Sequence, residues 1–289
     1  MNTSELINAL KIHGSFPTSN DLFTPADFLV LFNHQMKIDI TPLMMKLNEE
    51  YFVQYKNFTI EPGKKYRIPA RAIGTNIRDL KYVDLNGQEN DIVRLFEEDR
   101  AMNKSGFYIV RNSVELSKDY TSGTLRMAVF ARPSTLVLQT DCATVLDIDQ
   151  ASNSIEVDIV PAGLISGVKA DLVQSINPYD LLSYDEEVGV SGNTITFNSL
   201  PDGLEVGDYL CLSMQAPVPM IPEELHPVLV QSALCKALSS KKDKQWENEM
   251  NVLTQNKIDA TNLLTPRVQN QSEKMRSGKL LSYFTTRRY

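Results

Sequence analysis

The chain has 289 residues, 42% of them apolar and 22% charged, with a net charge of −7. This composition suits a globular protein with a substantial core and a length prior of about two domains. The acidic balance leaves no whole-chain footprint for nucleic-acid binding, and no stretch approaches the roughly 18 apolar residues of a membrane span.

The opening residues Met1-Asn2-Thr3-Ser4-Glu5 carry neither the basic nor the apolar region of a secretory signal. Residues 4–12 read as a short helix with Leu6, Ile7 and Leu10 on one side. Thr24-Pro25-Ala26-Asp27 is a helix start: Thr24 caps, Pro25 fits the first helical position and Asp27 suits the first turn. Phe28, Phe32, Met36 and Ile40 then recur every four residues. Thr41-Pro42 repeats the start signal ahead of Leu43, Leu47 and Tyr51. Two consecutive helices are therefore predicted, over 25–40 and 42–55.

From Asn57 the pattern turns to strands. Phe58, Ile60, Tyr66 and Ile68 flank the turn sequence Glu61-Pro62-Gly63-Lys64, which predicts a β-hairpin. Short strands follow over 80–85, 107–110 and 125–131, with Asn86-Gly87 a strong turn signal. An internal repeat comes next, at an offset of forty positions. Asn153-Ser154-Ile155-Glu156-Val157 aligns with Asn193-Thr194-Ile195-Thr196-Phe197, Pro161 and Gly163 with Pro201 and Gly203, and Leu164 and Gly167 with Leu204 and Gly207. Each copy is a hairpin-like stretch, an alternating strand, a Pro-x-Gly turn and entry to another strand. Two copies are too few for a solenoid and predict one small sandwich or barrel.

Pro217 to Pro222 is an extended connector, after which Glu223-Glu224-Leu225 opens a helix. Leu225, Leu229, Ala233 and Ala237 form its stripe, Lys241-Lys242-Asp243-Lys244 breaks it, and Trp246, Met250, Leu253, Ala260 and Leu264 mark a second helix of about five turns. The segment 266–289 is polar and basic: Arg267, Lys274, Arg276, Lys279, Arg287 and Arg288 oppose only Glu273. Tyr283, Phe284 and Tyr289 add aromatic groups, which with arginine are favoured at interface centres. Three readings stay open for it: a clamp on an acidic neighbouring subunit, a contact with DNA phosphates, or a solubilising end.

Motifs for chemistry are absent. His13, His34 and His226 stand in no metal-ligand spacing, and there is no phosphate-binding loop, dinucleotide fingerprint or nucleophile elbow. Asp147 and Asp149 would share one face of a strand, where solvated carboxylates are commoner than a cation site. Glu97-Glu98-Asp99 and Asp185-Glu186-Glu187 read as exposed turns. Cys142, Cys211 and Cys235 are odd in number and widely separated, with no disulfide framework or zinc spacing, which suits a reducing compartment. No catalytic site, metal or cofactor is expected.

The fold class expected is α+β, divided as a helical body (1–57 plus 221–265), a β-hairpin region (58–135), a β-rich insertion with the repeat (136–220) and a basic extended tail (266–289). This order of elements resembles the head-to-tail adaptor (connector) family of tailed bacteriophages. The resemblance is carried by Leu200-Pro201-Asp202-Gly203-Leu204-Glu205-Val206-Gly207-Asp208-Tyr209-Leu210, running through Pro217 and Pro219 into Ile221-Pro222-Glu223-Glu224-Leu225-His226-Pro227, and by the Thr24 helix start and the Phe58–Ile68 stretch. The insertion is larger than in the simplest members, and the tail is long. The resemblance implies a virion neck protein without catalysis, made in the host cytoplasm. It would form a ring of about twelve copies under a portal protein, extend the DNA channel without sequence-specific binding, and dock the next tail or ring protein. It further implies that Arg267, Lys274, Arg276, Lys279, Tyr283, Phe284, Arg287, Arg288 and Tyr289 contact the portal. The alternatives are a baseplate, spike or fibre-attachment protein and, behind these, an enzyme with a dispersed site.

Overall fold

The computed structural model describes residues 1–16, 23–96, 98–99, 104–176 and 179–265. Helix α1 (Thr3–His13) opens with a reciprocal cap between Asn2 and Glu5. Helix α2 (Pro25–Gln35) starts where its chemistry predicts. The Asp27 N–H donates to the Thr24 hydroxyl at 3.3 Å, the Thr24 N–H donates to the Asp27 carboxylate at 2.8 Å, and Pro25 fills the first position. A π-helical turn, Met36–Ile40, carries α2 without a break into α3 (Thr41–Leu47), and Thr41 Oγ1 donates to the Met36 carbonyl at 2.7 Å to close the widened turn. Phe28, Phe32, Met36, Ile40 and Met44 are all buried along this run.

The helix expected over 42–55 ends earlier. It stops at Leu47, a 3-10 turn spans Glu49–Phe52, and the chain becomes strand β1 (Val53–Thr59). The remaining strands are β2 (Lys65–Arg67), β3 (Ala72–Val83), β4 (Glu89–Asp91), β5 (Phe107–Val110), β6 (Ser113–Leu116), β7 (Thr124–Ala131), β8 (Thr135–Leu136), β9 (Ala143–Asp149), β10 (Ser154–Val157), β11 (Lys169–Val173), β12 (Leu181–Glu187), β13 (Gly189–Ser191), β14 (Thr194–Thr196), β15 (Tyr209–Leu212) and β16 (Gln215–Ala216). Helices α4 (His226–Ser240) and α5 (Trp246–Leu264) follow, parted at Lys242, which has positive φ. The chain is thus mixed α+β with several antiparallel sheets.

The hairpin expected around Glu61–Lys64 is not formed. The turn is there, with Gly63 at φ 72°, but β1 pairs antiparallel with β7 while β2 pairs with β6 in another sheet. Turn chemistry reverses the chain without choosing its partner, and seven residue pairs with β7 draw Val53–Thr59 out of helix. Asn86-Gly87 does make the tight turn joining β3 to β4. Asp185–Glu187 belongs to β12 rather than to an exposed turn, because Lys169 and Ala170 of β11 pair with Glu187 and Glu186.

The two copies of the internal repeat adopt the same local structure and pair with each other. Copy one supplies β9, β10 and β11, and copy two supplies β12–β13, β14 and β15, in the order β12-β11-β15-β9-β10-β14-β13. Two equivalent pairs face each other directly, Ile155 with Ile195 and Asp171 with Cys211. Both are forty positions apart, so a quasi-twofold axis runs through them. The paired turns match too: Gly163, Gly203, Gly167 and Gly207 all have positive φ, open to glycine without steric cost. The first and last strands of this sheet are separated by Val188 alone, so it curls around Val145, Ile155, Leu172, Ile195 and Leu210, but β12 and β13 do not pair and the expected small barrel is not formed.

Three other apolar clusters complete the core. One joins α1, α2, α3, α4 and α5; one fills the space between β1–β7; a smaller one lies between the repeat unit and its connector. Helix α4 is buried nearly all round, from His226 to Leu238, as expected of the central member of a helical layer. His226 is fully buried, stacks on Tyr179, and lies 3.3 Å from the Ile221 carbonyl. Burial, reinforced by the amino group of Met1, pushes its pKa down to about 4.

Between the β units sits a buried ion pair. Arg71, ahead of β3, donates through Nη2 to Asp171 Oδ2 on β11 and through Nη1 to Ser134 Oγ at 3.0 Å. The Asp185 and Met214 N–H groups donate to the same carboxylate at 2.9 and 2.8 Å. Burial pushes the Asp171 carboxyl above the ordinary carboxylate range, against the pull of Arg71 and the two backbone donors. Arg71→Met should cost about 3–5 kcal/mol in urea unfolding, because it strands a buried carboxylate, and Arg71→Met/Asp171→Leu should recover most of that loss. Equal losses in the single and double variants would contradict this account.

His226 gives a pH signature of defined sign. Its folded pKa lies below the unfolded value near 6.5, so the stabilisation is full above pH 6.5 and is lost as pH falls towards 4. The share at stake is on the order of 3 kcal/mol. Melting temperature measured across that window should fall more steeply for the natural protein than for His226→Gln.

Candidate functional site

The residues expected to bind a portal (Arg267, Lys274, Arg276, Lys279, Tyr283, Phe284, Arg287, Arg288 and Tyr289) lie outside the described residues. The structure describes the platform they follow. Helix α5 runs to Leu264 and is capped by Thr265. Only Leu253 and Ala260 of its nineteen residues are buried. Leu264 packs partly buried against the same core, and polar contacts complete the attachment. Lys257 Nζ lies 2.5 Å from Asp39 Oδ1 in the π-helical turn, and Gln231 Nε2 of α4 donates to the Glu249 carbonyl at 3.1 Å and to its carboxylate at 2.7 Å. Ser232 Oγ, on α4, lies 2.7 Å from Asp39 Oδ2 and 2.9 Å from Gln35 Oε1. One carboxylate, Asp39, therefore joins three helical segments, and the π turn presents it there.

Gln35, Asp39, Ser232 and Lys257 line a cleft of about 220 Å³ together with Trp246 and Met250. Sequence spacing puts Trp246 and Met250 on the stripe of Leu253 and Ala260, but both remain more than a third exposed. Val252, Ile258 and Leu263 are exposed as well, Leu263 to 69%. Asp39, Lys257 and Ser232 carried no motif; their partners stand 193 to 218 positions away in the chain.

The cleft does not resemble a catalytic arrangement. Cys235 is pushed up to about 11, by burial first and then by Glu249, so its thiol stays protonated. Ser232 has a carboxylate already paired with Lys257 as its neighbour and no imidazole within hydrogen-bond reach. A larger cavity of about 460 Å³ lies where the helices meet both β units, lined by Tyr51, Arg71, Arg132, Tyr179 and Asp180 among others. Its Tyr51 is raised to about 12 by burial, then by Asp180 and Glu224, so it acts as a donor and not a base. Among the described residues no group of three His, Cys, Asp or Glu side chains is placed to hold a metal ion. Asp149 holds a turn, accepting from the Ala151 N–H at 2.9 Å and from Ser152 Oγ at 2.7 Å. Among the described residues no helix is long and apolar enough to cross a membrane.

The structure also joins two residues that sequence spacing keeps apart. Cys142 and Cys211, 69 positions apart, have their sulfurs 2.9 Å from each other. Only the strand register, which is not legible in one sequence, could have brought them to notice.

Leu253 is the main apolar anchor of α5. Leu253→Ala should weaken local closure by about 2 kcal/mol or more, seen as roughly thirtyfold faster hydrogen exchange across 246–264 while α4 stays protected. Uniform loss of protection in both helices would show instead that α5 opens only with the whole body. No protein-family model and no curated protein matches the chain.

Proposed function

We propose that this chain is a structural virion protein without catalysis: a head-to-tail adaptor that forms a ring beneath a portal, extends the DNA channel and offers a docking platform to the next tail protein. The observation that carries this reading is α5. It lies on the outside of a helical layer built from the first and last helices, is held by a few apolar side chains together with polar struts, exposes other apolar side chains, and leads directly into the basic, aromatic segment 266–289. Exposed apolar groups next to a charged, arginine-bearing segment suit a protein partner. Of the described residues lining the two cavities, Cys235 and Tyr51 are both held protonated.

In this reading residues 1–57 and 221–265 are the ring wall, and 58–135 supports it. The repeat unit in 136–220, a curled sheet that does not close into a barrel, projects towards the tail as a sandwich-like module. Arg267, Lys274, Arg276, Lys279, Tyr283, Phe284, Arg287, Arg288 and Tyr289 order against portal subunits, with the ordering entropy met by the interface. Ring closure depends on neighbour contacts and can await the portal as a template.

A second reading, a baseplate, spike or fibre-attachment protein, is favoured by one feature. The repeat unit exposes Leu146, Ile159, Ile165, Ile176 and Val206, mostly on its turns, where a partner could bind.

The test is to mix the purified chain with the portal ring of the same phage and image the product by cryo-electron microscopy. A closed ring stacked on the portal is expected, and deletion of 266–289 should abolish docking at unchanged melting temperature. Normal docking by the truncated chain would overturn the tail assignment. Failure of the full chain to dock, with the protein found at the distal end of the virion tail, would favour the second reading.

A further inference from the structure

We propose that Cys142 and Cys211 are a redox-active pair that closes to a disulfide in an oxidising environment, cross-linking the repeat unit at its quasi-twofold axis. The inference does not depend on the adaptor reading. Cys211 lies in β15, and Cys142 stands one step before β9 in extended conformation, φ −111° and ψ 157°. The β15–β9 ladder pairs Tyr209 with Thr144 and Leu210 with Ala143, so the next step sets Cys211 opposite Cys142. The Val145 N–H donates to the Asp208 carbonyl at 2.8 Å, which marks that pair as hydrogen-bonded. Counting in twos from it, Leu210 and Ala143 form the next such pair, and Cys142 and Cys211 occupy a non-hydrogen-bonded site. Side chains are closest at such sites, with Cα atoms about 4.5 Å apart, inside the range that a disulfide spans. The sulfurs are already in contact at 2.9 Å, with the Cys211 thiol donating to Cys142.

The surroundings favour closure over other fates. Both residues are buried among Val173, Tyr209, Ala216 and Val218, where no second protein can reach them in the folded state. The third thiol, Cys235, sits in α4 within the helical core and belongs to neither this cluster nor this sheet. Burial slows attack, so the pair is expected to react through transient opening of the sheet and not as a fast sensor. With oxidised glutathione as oxidant the step balances. The deprotonated thiol attacks the glutathione disulfide and releases one glutathione thiolate. The second cysteine sulfur, losing its proton, then displaces the other glutathione from the mixed disulfide. One protein S–S bond forms, two S–H bonds break, and the reagent is reduced to two thiols. The bond would fasten β15 to the segment that leads from β8 into β9, and so hold the face on which Ala216 and Val218 pack.

The natural full chain is incubated with oxidised glutathione in enough urea to allow opening without global unfolding, then denatured, alkylated and weighed. Three alkylatable thiols are expected before treatment and one after it, at Cys235. The intact mass should fall by two hydrogens, and the chain should stay monomeric on a non-reducing gel. The melting temperature should rise by about 5 °C and return on reduction. Cys235→Ser should behave in the same way with no free thiol left, whereas Cys142→Ser should gain a glutathione adduct and no thermal shift. Persistence of all three thiols, stable glutathione adducts on the natural protein, or linkage between chains would each overturn the proposal.

Discussion

The buried Arg71–Asp171 pair is the constraint on which the arrangement of the chain depends. Taking both charges out of water costs several kcal/mol per ion, and their attraction offsets that cost only when further hydrogen bonds support the two groups, although Arg71 Nε is left without a partner. Here the supporting groups come from distant parts of the chain: Ser134 after β7, the Asp185 N–H in β12 and the Met214 N–H before β16. These contacts form together only when the first β region, the repeat unit and its connector are all in place. Such a pair adds little net stability compared with an apolar substitute, but it penalises every misdocked arrangement. The Tyr184 hydroxyl, donating to the Tyr55 carbonyl, fixes the same two units at a second point.

The pair also connects to the helices. Two residues beyond Ser134, the Leu136 N–H donates to Asn33 Oδ1 at 2.7 Å, and Asn33 Nδ2 donates back to the Leu136 carbonyl at 2.9 Å. The Thr135 N–H donates to the Met214 carbonyl at 2.8 Å, next to the Met214 N–H that serves Asp171. A continuous polar line thus runs from β11 through Arg71, Ser134 and Leu136 to α2. Apolar burial stabilises each cluster separately, whereas this line sets how the clusters stand against one another.

The repeat shows how one local pattern came to carry two chemistries. Asp171 and Cys211 occupy equivalent positions on the quasi-twofold axis and face each other across β11 and β15. Alternation sends Leu172 and Leu210 into the apolar interior of the unit and turns Asp171 and Cys211 to its outer face. There one copy receives Arg71 and the other receives Cys142. The repeat was legible from its alternating strands and Pro-x-Gly turns, as were the Thr24 cap, the stripe from Phe28 to Ile40 and the break at Lys241–Lys244, because all of these are set within a few residues. The hairpin at Glu61–Lys64 and the helix over 42–55 were misread for the converse reason: β1 and β2 take their partners, β7 and β6, from far along the chain. The Arg71–Asp171 pair spans 100 positions and the Asp39–Lys257 pair 218, and no periodicity announces either. The nine residues expected to bind a partner rest on charge, aromatic content and the family resemblance, and they fall beyond the last described residue.

In the proposed adaptor these connections would give docking at α5 a route into the β units. Asp39 holds Lys257 of α5 and Ser232 of α4, and it sits in the π turn that continues α2. The same α2 carries Asn33, which grips Leu136. A load placed on α5 therefore meets α2 through a carboxylate and reaches the β units through hydrogen-bonded backbone. The π turn suits that position, because its widened backbone lets Asp39 face α4 and α5 while Met36 and Ile40 stay in the core. The Asp39–Lys257 strut is partly exposed and weak by itself. An interface that shielded it from water would strengthen the attraction between its charges, so under the proposed docking, partner binding at α5 and firm seating of α5 on the helical body would reinforce each other.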